Sequence, residues 1–260
     1  MSGGQVMDAA DAALAQARLF VEAGADILDV GGESTRPGAQ PVSAQEEIRR
    51  VVPIIQELAA ANLNAIISVD TSKAIVARAA LEAGAQWIND IWSLRADANM
   101  ADTVARAHAP VVLMHNRSKP ADAELQQRLG GRYTGVQYNH LIEDVKSELL
   151  ESVTLAHIAG IPDDHIVLDP GIGFGKTVEQ NLELIDRLDE IRAMGFPVLL
   201  GASRKSFIGY TLNLPPDQRL EGTAAAVAIG IARGADIVRV HDVAAMVRVA
   251  RLSDAIVRRH

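Results

Sequence analysis

One junction recurs along the sequence and restricts the possible fold more than any other feature. A helix ends at a glycine, and two residues later a short apolar segment begins, as in Glu22-Ala-Gly-Ala-Asp26, Glu82-Ala-Gly-Ala-Gln86 and Arg233-Gly-Ala-Asp236. Glycine often ends helices because it adopts left-handed backbone angles at little steric cost. The segments that follow are apolar on both faces, which is typical of strands in a parallel sheet covered by helices. The repeated unit is therefore βα.

Apolar segments of this kind begin near residues 27, 66, 87, 111, 166, 198 and 237, and each is followed by a helical pattern. One further helix, Met7–Glu22, precedes the first strand. This order predicts an α/β protein, a (β/α)8 TIM barrel that lacks the usual first strand at the N-terminus, as a single domain of residues 1–260. The alternative is a doubly wound open sheet, but no strand is followed by Gly-x-Gly-x-x-Gly or by a Walker lysine motif. Residues 116–139 contain several glycines and weak periodicity, and we predict a long loop there.

The composition narrows the functional class. The 260 residues carry a net charge of −8, which disfavours non-specific binding to nucleic acid, so an anionic ligand would need a local cluster of cations. The absence of cysteine excludes disulfides, thiolate catalysis and cysteine-ligated metals. The sequence has no apolar run long enough to span a bilayer and no signal-peptide core. We therefore expect a cytoplasmic protein with no nucleic-acid or membrane partner.

Polar residues stand at the end of every predicted strand. In a βα barrel the active site is built at the carboxyl ends of the strands, so residues far apart in sequence converge there. Any single one of them could instead cap a helix, or lie in the core with its hydrogen bonds made by neighbouring groups. The set consists of Thr35, Arg36, Asp70, Thr71, Asn89, Asp90, His115, Asp169, Ser203, Arg204, Lys205, Arg239 and His241.

One half of this set suits a polar heterocycle. Asp70, Asn89 and Asp169 offer carboxylate and amide groups that accept hydrogen bonds from ring N–H donors. Met114 and Phe174 can supply apolar contact to the ring.

The other half suits an anion. Arg36, Lys205, Arg239 and His241 are the local cations that the net charge requires, and barrels commonly hold phosphate in the loops after the last two strands. A flat heterocycle joined to an anionic group fits both halves.

Seven segments at these positions, in chain order, carry a resemblance: Gly31–Gly38, Ser68–Ser72, Ile88–Ile91, Leu113–His115, Leu168–Lys176, Ser203–Ser206 and Arg239–Asp242. Together they resemble dihydropteroate synthase of the bacterial folate pathway, a pterin-binding TIM-barrel family. The resemblance implies a transferase that condenses 7,8-dihydropterin-6-ylmethyl diphosphate with 4-aminobenzoate, giving 7,8-dihydropteroate and diphosphate. It also implies Mg²⁺ as cofactor, a homodimer, and inhibition by sulfonamides as aminobenzoate mimics.

The resemblance also implies residue roles. Positions matching Asp70, Asn89, Asp169 and Lys205 bind the pterin, and Met114 and Phe174 join this set because their residue types can supply apolar contact to the ring. Positions matching Thr35, Arg36, Pro37, Ser203, Arg239 and His241 bind the aminobenzoate and the diphosphate. The catalytic groups are Asp70, Asp169, Lys205 and Arg239, which stabilise the charges that develop when diphosphate leaves. The closing helix, Val243–Val257, is the candidate dimer interface.

The sequence departs from the family pattern at its start. Family members normally begin with a strand ending in Asn-Val-Thr-Pro-Asp-Ser-Phe, whose asparagine contacts the metal, and this segment is not in the sequence. We therefore assign no metal-ligating residue. We also expect lower stability and activity than in a chain that carries the strand, because the two strands that would flank it have unpaired edges. Two alternatives follow: a catalytically impaired pterin-binding protein, and a pterin-binding methyltransferase module.

Overall fold

The computed structural model describes residues 3–35, 38–134 and 136–258. The described residues fall in two compact units. The first lies within Met1–Ser34, Gln40–Leu113 and Ser152–Ile166, and the second within Thr35–Ala39, Met114–Glu151 and Val167–His260.

Parallel strands form the centre of the first unit. The strands β1 (Ile27–Gly31), β2 (Ile66–Asp70) and β3 (Trp87–Asp90) pair in chain order, and β3 pairs with the start of β4 (Val111–Met114). In this register Gly31 lies opposite Asp70, and Asp70 lies opposite Asn89. The polar residues at the strand ends of this unit are therefore neighbours.

Helices accompany the strands of the first unit, and the second of these helices packs against β1 and β2. The helices are α1 (Gly3–Glu22), α2 (Ala44–Ala60), α3 (Ala74–Glu82) and α4 (Met100–Ala107). In α2, Val51, Ile55 and Leu58 recur at helical spacing and are almost completely buried. The side chain of Ser43 caps the start of α2 by accepting a hydrogen bond from Glu46 N at 3.2 Å.

The segment predicted as a long loop has regular structure, and that prediction is wrong. A 3₁₀ turn at Pro120–Asp122 leads into an antiparallel hairpin of β5 (Ala123–Gln126) and β6 (Gly130–Tyr133). The hairpin lies in the second unit and is followed by α5 (Leu141–Ile158), whose C-terminal part belongs to the first unit.

Three further strands organise the second unit. They are β7 (Ile166–Asp169), β8 (Leu199–Leu200) and β9 (Ile237–Val238). The N–H of His115 donates to Asp169 O at 2.9 Å, Leu168 forms a parallel bridge with Val198, and β8 pairs in parallel with β9. The seven predicted strand positions are thus confirmed.

The helices of the second unit follow these strands. They are α6 (Val178–Asp186), α7 (Leu188–Arg192), α8 (Ser206–Leu212), α9 (Leu220–Ala232) and α10 (Val243–Val257). Val227, Ile231 and Met246 form a buried apolar cluster between α9 and α10. Within the described ranges, none of the helices combines the length and the apolar character needed to cross a membrane.

Candidate active site

In the first unit, Asp70 and Asn89 lie side by side at the ends of β2 and β3. Asn89 is buried, and its Nδ2 donates to Asp29 Oδ2 at 3.0 Å, which fixes the orientation of the amide. Gly31 lies on the other side of Asp70, where an added Cβ would be only 3.4 Å from Asp70 Cβ. The glycine therefore leaves space beside the Asp70 carboxylate.

Two other strand-end residues of this unit have structural roles. Asp90 accepts hydrogen bonds from Trp92 N at 2.9 Å and Leu94 N at 2.7 Å, so its carboxylate holds the turn after β3. Burial raises the pKa of Asp90 to about 6. Thr71 is buried, and its Oγ1 accepts a hydrogen bond from Lys73 N at 3.2 Å.

In the second unit, Asp169 is the buried carboxylate at the end of β7. Its Oδ1 accepts a hydrogen bond from Gly171 N at 2.7 Å. Burial raises the pKa of Asp169, and the positive charges of Lys205, Lys176 and Arg239 act against that increase. An added Cβ at Gly201 would lie 3.8 Å from Lys205 Nζ and 3.9 Å from Asp169 Oδ2. The carboxylate and the ammonium therefore border one small space that the glycine leaves open.

Lys205 also contacts the loop after β7. Its Nζ lies 4.6 Å from the centre of the Phe174 ring and donates to Ile172 O. This geometry is a cation–π contact, which holds the ammonium against an apolar surface. Met114, the last residue of β4, is buried in the same unit.

The ends of β8 and β9 meet through Ser203 and His241. Ser203 Oγ accepts a hydrogen bond from His241 N at 3.1 Å and lies 3.0 Å from His241 Nδ1. Arg239 and His241 are exposed after β9. The guanidinium of Arg204 forms an ion pair with Asp242, in which Arg204 Nε donates to Asp242 Oδ2 at 2.8 Å.

The loop after β1 carries the remaining predicted site residues. Thr35 is exposed, and Arg36 and Pro37 lie outside the described residues. The base of this loop is held by Glu33, whose Oε1 accepts a hydrogen bond from Val42 N at 3.2 Å and whose other oxygen pairs with Lys73.

Sequence reasoning missed a buried polar network in the second unit. Lys176 Nζ lies 2.9 Å from His115 Nδ1, 3.0 Å from Gly171 O and 3.1 Å from Phe174 O. Burial lowers the pKa of Lys176 to about 7. His115, one of the strand-end candidates, is also buried, with Nε2 3.2 Å from Glu148 Oε2. The only signal in the sequence was the place of Lys176 at the end of a glycine-rich motif.

The buried His115 predicts a pH dependence of stability. Burial, and then the charge of Lys176, lower the pKa of His115 to about 4 from its usual value of 6.5. Between these pH values the unfolded chain binds a proton that the folded protein does not, so His115 makes the free energy of unfolding increase as pH rises. The increase is at most on the order of 3 kcal/mol.

We expect His115→Gln to reduce this slope in urea unfolding measured between pH 4 and pH 6.5. The exposed His157, which pairs with Asp163, provides the control variant His157→Gln. A slope in His115→Gln equal to that of the unsubstituted protein would contradict the assignment.

Among the described residues, no group of three or more His, Asp or Glu side chains is arranged to hold a metal ion. Mg²⁺ commonly has few protein ligands and binds through substrate phosphates. A site for it therefore does not have to be formed by protein side chains alone.

Comparison with known proteins identifies the class that this fold and these residues define. The model of the pterin binding enzyme family matches residues 1–241. The chain belongs to the pterin-binding enzyme family, which confirms the resemblance and the predicted α/β TIM-barrel fold class.

Several similar proteins are dihydropteroate synthases. That of Clostridium beijerinckii is 48% identical over 258 residues, which cover 99% of this chain and 89% of that protein. The structure of the Clostridium difficile enzyme, solved in the presence of pteroic acid, has a TM-score of 0.87 and 45% identity and covers 96% of this chain and 89% of that one. The Yersinia pestis enzyme in complex with a sulfonamide drug has a TM-score of 0.86 and 40% identity, covering 94% of this chain and 84% of that one.

Proposed function

We propose that the protein is a dihydropteroate synthase, a transferase of folate biosynthesis. The observation that carries this conclusion is the identity to dihydropteroate synthases over nearly the whole chain. The enzyme condenses 7,8-dihydropterin-6-ylmethyl diphosphate with 4-aminobenzoate and releases 7,8-dihydropteroate and diphosphate. Sulfonamides compete with 4-aminobenzoate.

We propose that the acidic and amide groups bind the pterin ring. Asp70 and Asn89 offer acceptors from neighbouring strands, and the hydrogen bond from Asn89 to Asp29 turns the amide so that its oxygen can accept from the ligand. Asp169 and Lys205 supply a carboxylate and an ammonium around the space at Gly201. Met114 and Phe174 provide apolar contact to the ring.

The exposed cations bind the charged end of the substrate in this proposal. Arg239 and His241 follow β9 and bind the diphosphate. The aminobenzoate and the diphosphate are also bound by Ser203 and by the loop residues Thr35, Arg36 and Pro37. Ser203 accepts a hydrogen bond from His241 N.

The proposed catalysis is electrostatic. The bond between the pterin methylene carbon and the diphosphate oxygen breaks, and its electron pair leaves with the diphosphate. Asp70 and Asp169 stabilise the positive charge that develops on the pterin, while Lys205 and Arg239 stabilise the negative charge of the leaving group. The amine nitrogen of 4-aminobenzoate then bonds to the methylene carbon and loses a proton.

Four further assignments belong to the proposal. We infer that Mg²⁺ is the cofactor, bound mainly through the diphosphate oxygens, and that the enzyme acts in the cytoplasm. We infer that residues 1–260 act as one pterin-binding domain, because the family match continues across both compact units. We infer a homodimer that uses α10, where Leu252 and Ile256 are more than half exposed.

The test of the function is incubation with the pterin diphosphate and radiolabelled 4-aminobenzoate, with Mg²⁺. We expect labelled dihydropteroate and an equal amount of diphosphate. Tight binding of the pterin without product would instead indicate a catalytically impaired pterin-binding protein. In a separate incubation with a methylated pterin and a corrinoid protein, transfer of the methyl group to the corrinoid would indicate a methyltransferase module.

Two substitutions separate ring binding from diphosphate binding. We expect Lys205→Ala to weaken the binding of both pteroic acid and the pterin diphosphate by roughly 10- to 100-fold, because it removes a charged hydrogen bond. We expect Arg239→Ala to raise the KM for the pterin diphosphate while the affinity for pteroic acid, which has no diphosphate, stays unchanged.

Calorimetry with pteroic acid and steady-state kinetics measure these two effects. Lys146→Ala provides the control, because Lys146 pairs with Glu143 on a helix surface. Unchanged pteroic acid affinity in Lys205→Ala, or an unchanged KM in Arg239→Ala, would remove the corresponding assignment.

A further inference from the structure

Arg204 has an unusual backbone conformation between two proposed binding residues, Ser203 and Lys205. Its φ angle is +54°, in the left-handed region that a residue with a long side chain seldom adopts. Such a conformation persists only where surrounding contacts determine it, and it often occurs at functional sites. The contacts that hold Arg204 therefore bear on how its two neighbours are presented.

Both backbone polar groups of Arg204 are bound by residues at the start of α9. Its N–H donates to Thr223 Oγ1 at 3.0 Å, and its carbonyl oxygen accepts a hydrogen bond from Arg219 Nη1 at 2.9 Å. Its side chain pairs with Asp242. The peptide groups and the side chain are thus held from separate directions.

Arg219 is buried, and its guanidinium donates hydrogen bonds to three backbone carbonyl groups, including that of Arg204. It is 2% exposed, and its guanidinium also donates to Leu214 O at 3.0 and 3.1 Å and to Leu129 O at 2.9 Å. Gly209 makes room for it, because an added Cβ at Gly209 would lie 2.0 Å from Arg219 Nη2. One buried cation therefore joins the Arg204 peptide to the turn of the β5–β6 hairpin.

Thr223 is completely buried and completes the arrangement. Its Oγ1 donates to Arg219 O at 2.7 Å while it accepts from Arg204 N. A hydroxyl is required here, because only a hydroxyl can donate and accept at the same time in this space.

We propose that Arg219 and Thr223 are positioning residues for the substrate-binding loop Ser203–Lys205. They hold Arg204 in the left-handed conformation that directs Ser203 to His241 and Lys205 to Ile172 O and the Phe174 ring. Neither residue is assigned a contact with substrate. The inference rests on the proposed synthase activity, because it assigns a purpose to the geometry of that site.

The test compares Thr223→Val with Thr223→Ser, which restores the hydroxyl. The matched control is Thr103→Val, since Thr103 is also buried and its Oγ1 also donates to a helix carbonyl four residues earlier, Asn99 O at 2.8 Å. Arg219→Lys is the second variant, because an ammonium cannot reproduce the forked contacts of a guanidinium. Each protein is measured by steady-state kinetics and by amide hydrogen exchange of the peptide that covers residues 203–206.

We expect Thr223→Val to lower kcat/KM roughly 10-fold and Arg219→Lys roughly 100-fold, because small displacements of binding groups are costly to turnover. Exchange of residues 203–206 should be faster in both variants, and Thr223→Ser should restore both measurements. Thr103→Val should change neither. Unchanged kinetics and exchange in Thr223→Val, or equal effects in Thr103→Val, would overturn the proposal, whether or not Arg219→Lys folds. Absence of product from the unsubstituted enzyme would instead contradict the proposed function, while the exchange comparison would still test the loop contacts.

Discussion

Replacing Asp169 by asparagine should lower kcat/KM for dihydropteroate formation by roughly 100- to 1000-fold, the range seen when a preorganised electrostatic contact to a transition state is removed. The carboxylate is buried, so water screens its charge poorly. Asparagine has nearly the same shape and keeps an oxygen that can accept the hydrogen bond from Gly171 N. The substitution therefore removes the charge and retains the loop contact.

Steady-state kinetics on the purified variant measures this loss, with thermal unfolding as the check on folding. Asp186→Asn is the matched control, because Asp186 is exposed, pairs with Arg233 and is not one of the proposed binding residues. We expect activity in that control to stay within about twofold, since surface substitutions seldom matter. Near-normal turnover in Asp169→Asn would contradict a catalytic role for the carboxylate.

Gly171→Ala should destabilise the protein by about 3–5 kcal/mol and abolish most activity. Gly171 has a φ angle of +72°, and an added Cβ would lie 1.8 Å from the backbone oxygen of His115. Backbone atoms cannot move aside as a side-chain end can. The loop that follows Asp169 and carries Phe174 would therefore have to shift away from its place beside His115.

Gly160→Ala separates the two causes of this loss. Gly160 also has a left-handed backbone, with a φ angle of +89°, but nothing lies within 4 Å of an added Cβ. Conformational strain alone should cost about 1–2 kcal/mol there and leave activity unchanged. Urea unfolding of both variants measures the difference, and equal losses of stability would contradict the close packing described at Gly171.

The strands could be predicted because their cause is local. Segments such as Val111–Met114 are apolar on both faces and are followed by a polar residue, and the structure confirms them. The β5–β6 hairpin could not be predicted in this way, because its residues are mostly polar and several are glycines. Contacts distant in sequence hold it, including Tyr210 Oη to Gly130 O at 3.2 Å and Arg219 to Leu129 O.

The candidate binding residues were predicted from residue type and position at strand ends, and their roles remain predictions. Lys176 and Arg219 were missed for a common physical reason. Their hydrogen bonds go largely to backbone carbonyls, and a sequence does not record where carbonyl groups point. The burial of His115 could not be predicted from the sequence, because it depends on neighbours such as Lys176, which is 61 residues away in sequence.

We propose, as the central claim, that Asp70, Asn89, Asp169 and Lys205 bind the pterin ring, while Arg239 and His241 bind the diphosphate of the substrate. A crystal structure of this protein with bound pteroic acid tests it most directly. The claim predicts that the pterin ring contacts Asp70, Asn89, Asp169 and Lys205, with the carboxylate end of the ligand near Ser203. A ring bound elsewhere, with these four side chains not contacting it, would contradict the claim.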